Sequence, residues 1–409
     1  MRRRSQPLDI YDPRERLAIR AADIALDFGL LSSRLLPRRP PAPLRRILLL
    51  RLERIGDLLM SLAAIRSVRL FAPDAEIDLI VGPWNEQIAR LIPEVTRVEV
   101  LATPWLSRGA SALPTAALAQ RALSWRNRHY DLSINFEGDI RTHLLPWLAG
   151  ARRRVGFGQA GGGPLLTDVV EHDGGRHVAA NSLALVERAF DLAPGTLPGE
   201  QSPEGLRRGR FTVPESARAA ARAALTQVAG GRLPASLLAV HVAGGRPIKQ
   251  WPPARFAGVA AALAKDMDAT VVLTGTTDDG ALVDEAEQAL RARSVTTIRL
   301  EGGVDLVVLA GVLSLSELMV TGDTGPMHLA AAVGTPVLAV FGPSMPWRYG
   351  PLVEPHRIVR VDLPCSPCNR IRLPPERCRG HVPDCLEHVA TDAVIAAGRE
   401  LIRAARARE

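Results

Sequence analysis

Asp57 follows the apolar run Ile47 to Leu52 in the segment Arg-Leu-Glu-Arg-Ile-Gly-Asp, which puts Gly56 and a carboxylate at a strand-to-helix turn. A carboxylate there suits two jobs. It caps the first turn of the helix, where the dipole favours an anion, or it acts as a general base that takes a proton from a hydroxyl nucleophile. No G-x-G-x-x-G accompanies it, so this turn is not a dinucleotide fingerprint.

The segment His241-Val-Ala-Gly-Gly-Arg-Pro-Ile-Lys-Gln-Trp-Pro reads as a strand, a glycine-containing loop and a helix start. Gly244 and Gly245 let backbone approach a ligand, and Lys249 offers a point charge suited to phosphate. The alternative is an exposed loop lysine. Scarcity argues against that, because the chain holds only two lysines, Lys249 and Lys265, among its 51 basic residues. Lys265 has no such context and is expected to be solvated. Further on, Thr321-Gly-Asp-Thr-Gly-Pro-Met-His follows an apolar run and opens a helix, with Pro326 in its first turn. The amides of Thr324 and Gly325 and the Thr324 hydroxyl would face a diphosphate at the positive end of that helix, and His328 adds a donor one turn in. Taken singly, Asp323 is a helix cap and His328 a structural histidine; together they read as a nucleotide-diphosphate pocket. Gly275-Thr-Thr-Asp-Asp sits at another strand end, where an acid commonly binds ribose hydroxyls. Helix capping is the competing use of Asp278 or Asp279.

All four cysteines, Cys365, Cys368, Cys378 and Cys385, fall in the segment 365–385. Four thiolates suit tetrahedral zinc or iron in a structural site, and reduced or redox-active cysteines are the alternative.

Positioning these residues takes alternating strands and helices. Short apolar runs at Ile47 to Leu52, Ile77 to Val81, Val98 to Leu101, Leu132 to Phe136 and Arg154 to Phe157 read as strands. The pattern restarts at Leu237 to Val242, Thr270 to Thr274, Thr296 to Leu300, Leu318 to Thr321 and Pro336 to Phe341. Such alternation predicts parallel α/β units, hence two Rossmann-like domains facing a central cleft, with ligands beyond the carboxyl ends of the strands. The expected division is an arm, 1–46; an N-terminal domain, 47–195; a Pro- and Gly-rich linker, 196–212; and a C-terminal domain, 213–409. A length of 409 residues with 47% hydrophobic content suits two such cores and excludes a disordered or disulfide-stapled chain.

The formal charge of +8 is concentrated in the arm, where 11 arginines face 5 acids, so the body is nearly neutral and shows no nucleic-acid motif. Within the arm, Leu17, Ala21, Ile24, Phe28, Leu31 and Leu35 follow helical spacing. That stripe is expected to pack on the protein's own surface or, as the other reading, to meet an anionic membrane. No long uncharged apolar run and no secretory signal is evident, so a cytoplasmic location, peripheral on the inner membrane in the second reading, is expected.

Ile-Gly-Asp at 55 to 57, Lys249-Gln-Trp-Pro, Gly275 with Asp279, and Asp323-Thr-Gly-Pro-Met-His328, in this order, resemble glycosyltransferase family 9, the ADP-heptose:lipopolysaccharide heptosyltransferases. One departure is Ala243, where a glycine is usual. The resemblance implies a GT-B fold and a cofactor-free, inverting transfer of heptose from ADP-heptose to a hydroxyl of the lipopolysaccharide inner core. It implies 47–195 as the acceptor domain and 213–409 as the donor domain, with Asp57 as base, Lys249 as a donor-diphosphate contact, Asp279 as the acid near the ribose, Thr324, Gly325 and His328 as the phosphate-binding turn, and Gly275 and Asp323 as further donor-binding residues. Similar cysteine clusters in protein-directed autotransporter heptosyltransferases leave that acceptor class as an alternative. An inert nucleotide- or metal-binding scaffold is the rival from another class.

Overall fold

The computed structural model describes residue 10 and residues 12–29, 43–106, 113–199 and 202–407. Its chain divides into two compact units, Met1–Arg208 and Gly209–Glu409.

The first unit is built on β1 (Arg46–Arg51), β2 (Glu76–Val81), β3 (Arg97–Val100), β4 (Leu132–Asn135), β5 (Arg153–Phe157) and β6 (Asp168–Val170), in the order β3-β2-β1-β4-β5-β6. All pairings are parallel, with Ile47 opposite Ile77 on one side and Leu132 on the other. Strand β1 is central because it can be buried on both faces; Ile47, Leu48, Leu49 and Leu50 are fully enclosed.

The second unit is built on β7 (Leu237–His241), β8 (Thr270–Thr274), β9 (Thr297–Arg299), β10 (Leu318–Gly322), β11 (Val337–Val340) and β12 (His356–Val359), in the order β12-β11-β10-β7-β8-β9, again all parallel. Counted from the start of each unit, both orders are third, second, first, fourth, fifth, sixth. Both units are therefore doubly wound, and each reverses between its first and fourth strands, where such sheets bind ligands.

Ten of these strands stand where apolar runs predict them. The two that the runs do not reveal, β6 and β12, are edge strands of three and four residues, half-exposed and carrying Asp168, His356 and Arg357. A strand with one open edge needs no continuous apolar run. The segment expected as linker contains a helix, Pro203–Gly209, and the units divide at its last turn.

The arm forms a helix, α1 (Pro13–Gly29); Leu31 and Leu35 lie outside the described residues. The stripe does not pack on the protein, which corrects the simpler expectation. Leu17, Ile24 and Phe28 are 71%, 59% and 77% exposed. Instead α1 is held by its other side. A Cβ on Gly161 would come within 2.2 Å of the Ile19 Cγ2, and Gly161 has a φ of +86°, so only glycine fits there. Asp23 Oδ1 accepts the Gly162 N–H at 2.7 Å. Among the described residues no helix is long and apolar enough to cross a membrane.

Candidate functional site

In the first unit, chemistry gathers where β1 ends. Arg51 is 2% exposed, and its guanidinium ties the neighbourhood together. Its Nε donates to the Asp57 carbonyl at 3.1 Å, and its Nη1 donates to the Phe136 carbonyl at 2.9 Å and to Glu53 Oε2 at 3.1 Å. Its other terminal nitrogen lies 3.7 Å from Asp57 Oδ1. Asp57 stands in the first turn of the helix Ile55–Met60, where its Oδ2 accepts the Arg54 N–H at 3.1 Å. The capping use is thus realised with one oxygen, while the other faces Arg51. Trp84 Nε1 and Asn85 Nδ2 each donate to the Glu53 carbonyl at 2.6 Å, and the Arg54 guanidinium stacks 4.2 Å from the Trp84 ring centroid. The turn bearing Asp57 is therefore clamped from both sides.

Glu137 comes from the end of the neighbouring strand β4. It is buried, and its Oε1 accepts the backbone N–H groups of Leu52 and, at 3.0 Å, Glu53. Burial first, and then the Glu53 carboxylate, push its carboxyl up to about 8, against the opposing pull of Arg51 and the two amides.

In the second unit, Lys249 and Asp323 meet. Lys249 belongs to a short turn, Pro247–Lys249, after β7, and its Nζ lies 2.6 Å from Asp323 Oδ2 just beyond β10. The same carboxylate accepts the Ser344 hydroxyl. Thr324 caps the helix Gly325–Val333, its Oγ1 accepting the Met327 N–H at 3.3 Å and lying 3.1 Å from Thr321 Oγ1. His328 is buried in the first turn of that helix. Lysine, helix N-terminus and carboxylate thus share the carboxyl ends of two adjacent strands, as the sequence predicts. Ala243 is buried in the loop after β7, and Gln250 Nε2 closes that loop on the Gly244 carbonyl at 3.2 Å. Lys265 is exposed, as expected.

Gly275 and Asp279 lie one strand away, after β8. Asp279 Oδ2 accepts both the N–H and the hydroxyl of Thr276 at 2.8 Å, so its carboxylate is engaged as a cap. Above it, His241 Nδ1 lies 3.1 Å from Thr274 Oγ1, and burial holds this histidine below its ordinary value.

The four cysteines, with Ile248, Pro343, Pro375 and Pro383 among their neighbours, line one cavity of about 20 Å³. Burial first, helped by the other three thiols, pushes Cys385 up to about 11. Among the described residues no group of three or more His, Cys, Asp or Glu side chains is gathered as a metal-ligand set.

Arg51, Glu53, Glu137 and Ser344 went unrecognised in the sequence. Glu137-Gly-Asp139 after β4 was a readable signal, since it places acids at the strand end beside β1. A G-x-G-x-x-G string does occur, at Gly156 to Gly161, but it runs off the end of β5 and serves to seat α1.

Comparison with protein-family models gives a match. The family model described as glycosyltransferase family 9 (heptosyltransferase) matches residues 119–376, more than half of the chain. Lipopolysaccharide heptosyltransferase 2 of Escherichia coli K12 is 27% identical over 317 residues, 75% of this chain and 85% of that protein. The solved E. coli ADP-heptose lps heptosyltransferase II superposes with a TM-score of 0.69 at 21% identity, covering 88% of this chain and 99% of that one. An iron-containing dodecameric glycosyltransferase of enterotoxigenic E. coli gives a TM-score of 0.51 at 11% identity, over 90% and 78% of the two chains. These likenesses establish the GT-B fold.

Proposed function

The chain belongs to glycosyltransferase family 9, the heptosyltransferases, and from that premise we propose that it transfers heptose from ADP-heptose to a hydroxyl of the lipopolysaccharide inner core, with inversion. The observation that carries the donor half of this reading is the Lys249–Asp323 pair beside the N-terminus of the helix Gly325–Val333. A diphosphate can displace Asp323 from Lys249 and accept hydrogen bonds from the amides that open the helix.

In the acceptor domain, the proposed role of Asp57 is to take the proton of the acceptor hydroxyl as its oxygen bonds to the anomeric carbon. Arg51 and the Arg54 amide hold that carboxylate in place. In the donor domain, the bond between the anomeric carbon and the diphosphate breaks, and ADP leaves with the bonding electrons. Lys249 and the Thr324 and Gly325 amides neutralise the charge that develops on it. His328 adds a donor at the same turn, while Gly275 and Asp279 flank the ribose once Asp279 exchanges Thr276 for a sugar hydroxyl. The acceptor is membrane-borne, which puts the enzyme on the cytoplasmic face of the inner membrane as a peripheral protein.

Transfer of label from ADP-heptose to truncated lipopolysaccharide, by wild type and by Asp57→Ala, tests the reading. Full transfer by the variant removes Asp57 as base. Absence of ADP release by wild type with any acceptor sinks the enzymatic reading, and label moving to a polypeptide instead assigns the protein-directed class.

The reaction itself needs no cofactor in this reading. Cys365, Cys368, Cys378 and Cys385 are proposed to close around one structural zinc or iron ion: their donor chemistry suits it and they line one cavity, although the side chains are not gathered as a ligand set as they stand. Elemental analysis should find metal in wild type and lose it in Cys365→Ser; no metal in wild type removes the site.

A further inference from the structure

The exposed face of α1 has no counterpart in the reading above. The helix is not loosely appended: Ile19 packs on Gly161, and Asp23 accepts the Gly162 N–H. That attachment decides which side faces outward. Leu17, Ala21, Ile24 and Phe28 recur at steps of four, three and four and share the opposite side, with Leu17, Ile24 and Phe28 all largely exposed.

Charge is sorted around this stripe. Arg14 stands three residues before Leu17, and Arg20 stands three after Leu17 and four before Ile24, so both flank the apolar side; Arg16 lies one turn before Arg20. Glu15 and Asp23 stand four residues either side of Ile19, on the docked side, and Asp27 continues the Asp23 row. An apolar stripe flanked by Arg14 and Arg20, with Asp23 turned to the protein and Glu15 and Asp27 exposed but off the stripe, matches an anionic surface with an apolar interior. The sequence around the helix adds to the match, since residues 1–46 carry a net +6.

The place of the helix matters as much as its chemistry. Gly161 and Gly162 follow β5, and Asp57 follows β1. In a parallel sheet these are the same edge, so α1 presents its stripe from the edge that carries Asp57. Glu15 is close enough to Arg141, just past β4, to help hold that guanidinium charged, after the larger effect of its bonds to Asp139. The first turn of α1 therefore also borders this edge.

We propose that the Leu17, Ile24 and Phe28 face of α1, with Arg14, Arg16 and Arg20, docks the N-terminal unit on an anionic phospholipid bilayer. The proposal rests on the reading of a membrane-borne acceptor, so binding is measured on vesicles without donor or acceptor, and either can fail alone. Full-length protein is floated with phosphatidylcholine vesicles containing about one-third phosphatidylglycerol, and with phosphatidylcholine alone. Wild type should bind the anionic vesicles and largely ignore the neutral ones. Leu17→Ser/Ile24→Ser/Phe28→Ser should weaken binding at least about tenfold, and Arg14→Gln/Arg16→Gln/Arg20→Gln should weaken it severalfold and flatten its salt dependence. Thermal melting unchanged from wild type verifies that each variant is folded, as expected for exposed positions. Three results overturn the proposal: wild type that does not bind, a triple-serine variant that binds as wild type does, or light scattering showing a wild-type dimer that the triple-serine variant splits, which makes the stripe a self-association face.

Discussion

In the first unit, the reversal point of the sheet sets Arg51, at the end of the first strand, beside Glu137, just past the fourth. In the second unit, the loops that follow the corresponding two strands supply Lys249 and Asp323. Topology repeats, as does the pairing of a cationic side chain with a carboxyl, yet the outcomes differ because their surroundings do. Glu137 is enclosed, and one oxygen is held by the backbone amides of Leu52 and Glu53. Asp323 instead faces a flexible ammonium and a hydroxyl, both of which a ligand can replace. One carboxyl is framework for the turn that carries Asp57; the other is a partner that can be exchanged. Both carboxyls are buried, so a shared fold fixes where such pairs gather, and the partners each carboxyl finds, backbone amides or exchangeable side chains, fix whether it is available.

Breaking the comparison at its most reactive point should have the largest effect. Asp57→Asn keeps the shape of the side chain but removes the base, and kcat should fall by about 10²- to 10⁴-fold while the Kd for ADP, from calorimetry, stays unchanged. Lys249→Gln acts on the opposite half: ADP should bind about 10- to 100-fold more weakly, the loss of a hydrogen bond to a charged group. If Asp57→Asn weakened ADP binding as much as Lys249→Gln does, the division of labour between the units would be wrong.

Glu137→Gln sharpens the contrast through pH. The folded chain retains a proton on Glu137 that the unfolded chain gives up above 4.5, because the folded value is about 8. Stability therefore declines as pH rises between these values, by up to about 1.4 kcal/mol per unit. The glutamine variant, unable to ionise, should lack that slope, as measured by the difference between its urea midpoints and those of wild type at several pH values. His143, held at about 4 by burial, contributes stability that is lost as pH falls through the acid range, but it is common to both proteins and cancels. Equal slopes would mean that Glu137 titrates as an ordinary carboxyl. The smallest change is expected from Ser344→Ala, which removes one hydrogen bond to Asp323. Asp323 should then hold Lys249 more firmly against a ligand, raising the Kd for ADP about fivefold.

Legibility in the sequence followed the same division. The second-unit residues were readable because each sits in a contiguous string, Asp323 to His328 above all, and because lysine is scarce in this chain. Central strands such as β1 and β7 were readable because enclosure on both faces demands unbroken apolar runs. Glu137 was readable only as an acid at a strand end; its partners were not, since the Leu52 amide stands 85 positions earlier in the chain. Edge strands β6 and β12 escaped because they are short and carry Asp168, His356 and Arg357 in place of an apolar run, whereas the other two edges, β3 and β9, were legible. For α1, spacing identified an apolar stripe but could not say which side glycines at 161 and 162 would receive.

The contact of Lys249 with Asp323 also has a consequence for the empty enzyme. An ammonium at a helix N-terminus would otherwise be a general anion trap, open to chloride and inorganic phosphate. With a carboxylate tethered 2.6 Å away, the site carries its own counter-ion, and an incoming anion must compete with a partner whose local concentration is set by the fold rather than by the solution. A singly charged anion offers Lys249 no more than Asp323 already does. A diphosphate, which brings more charge and reaches the helix amides at the same time, has more to offer, so the pair works as a threshold that favours the doubly anchored ligand.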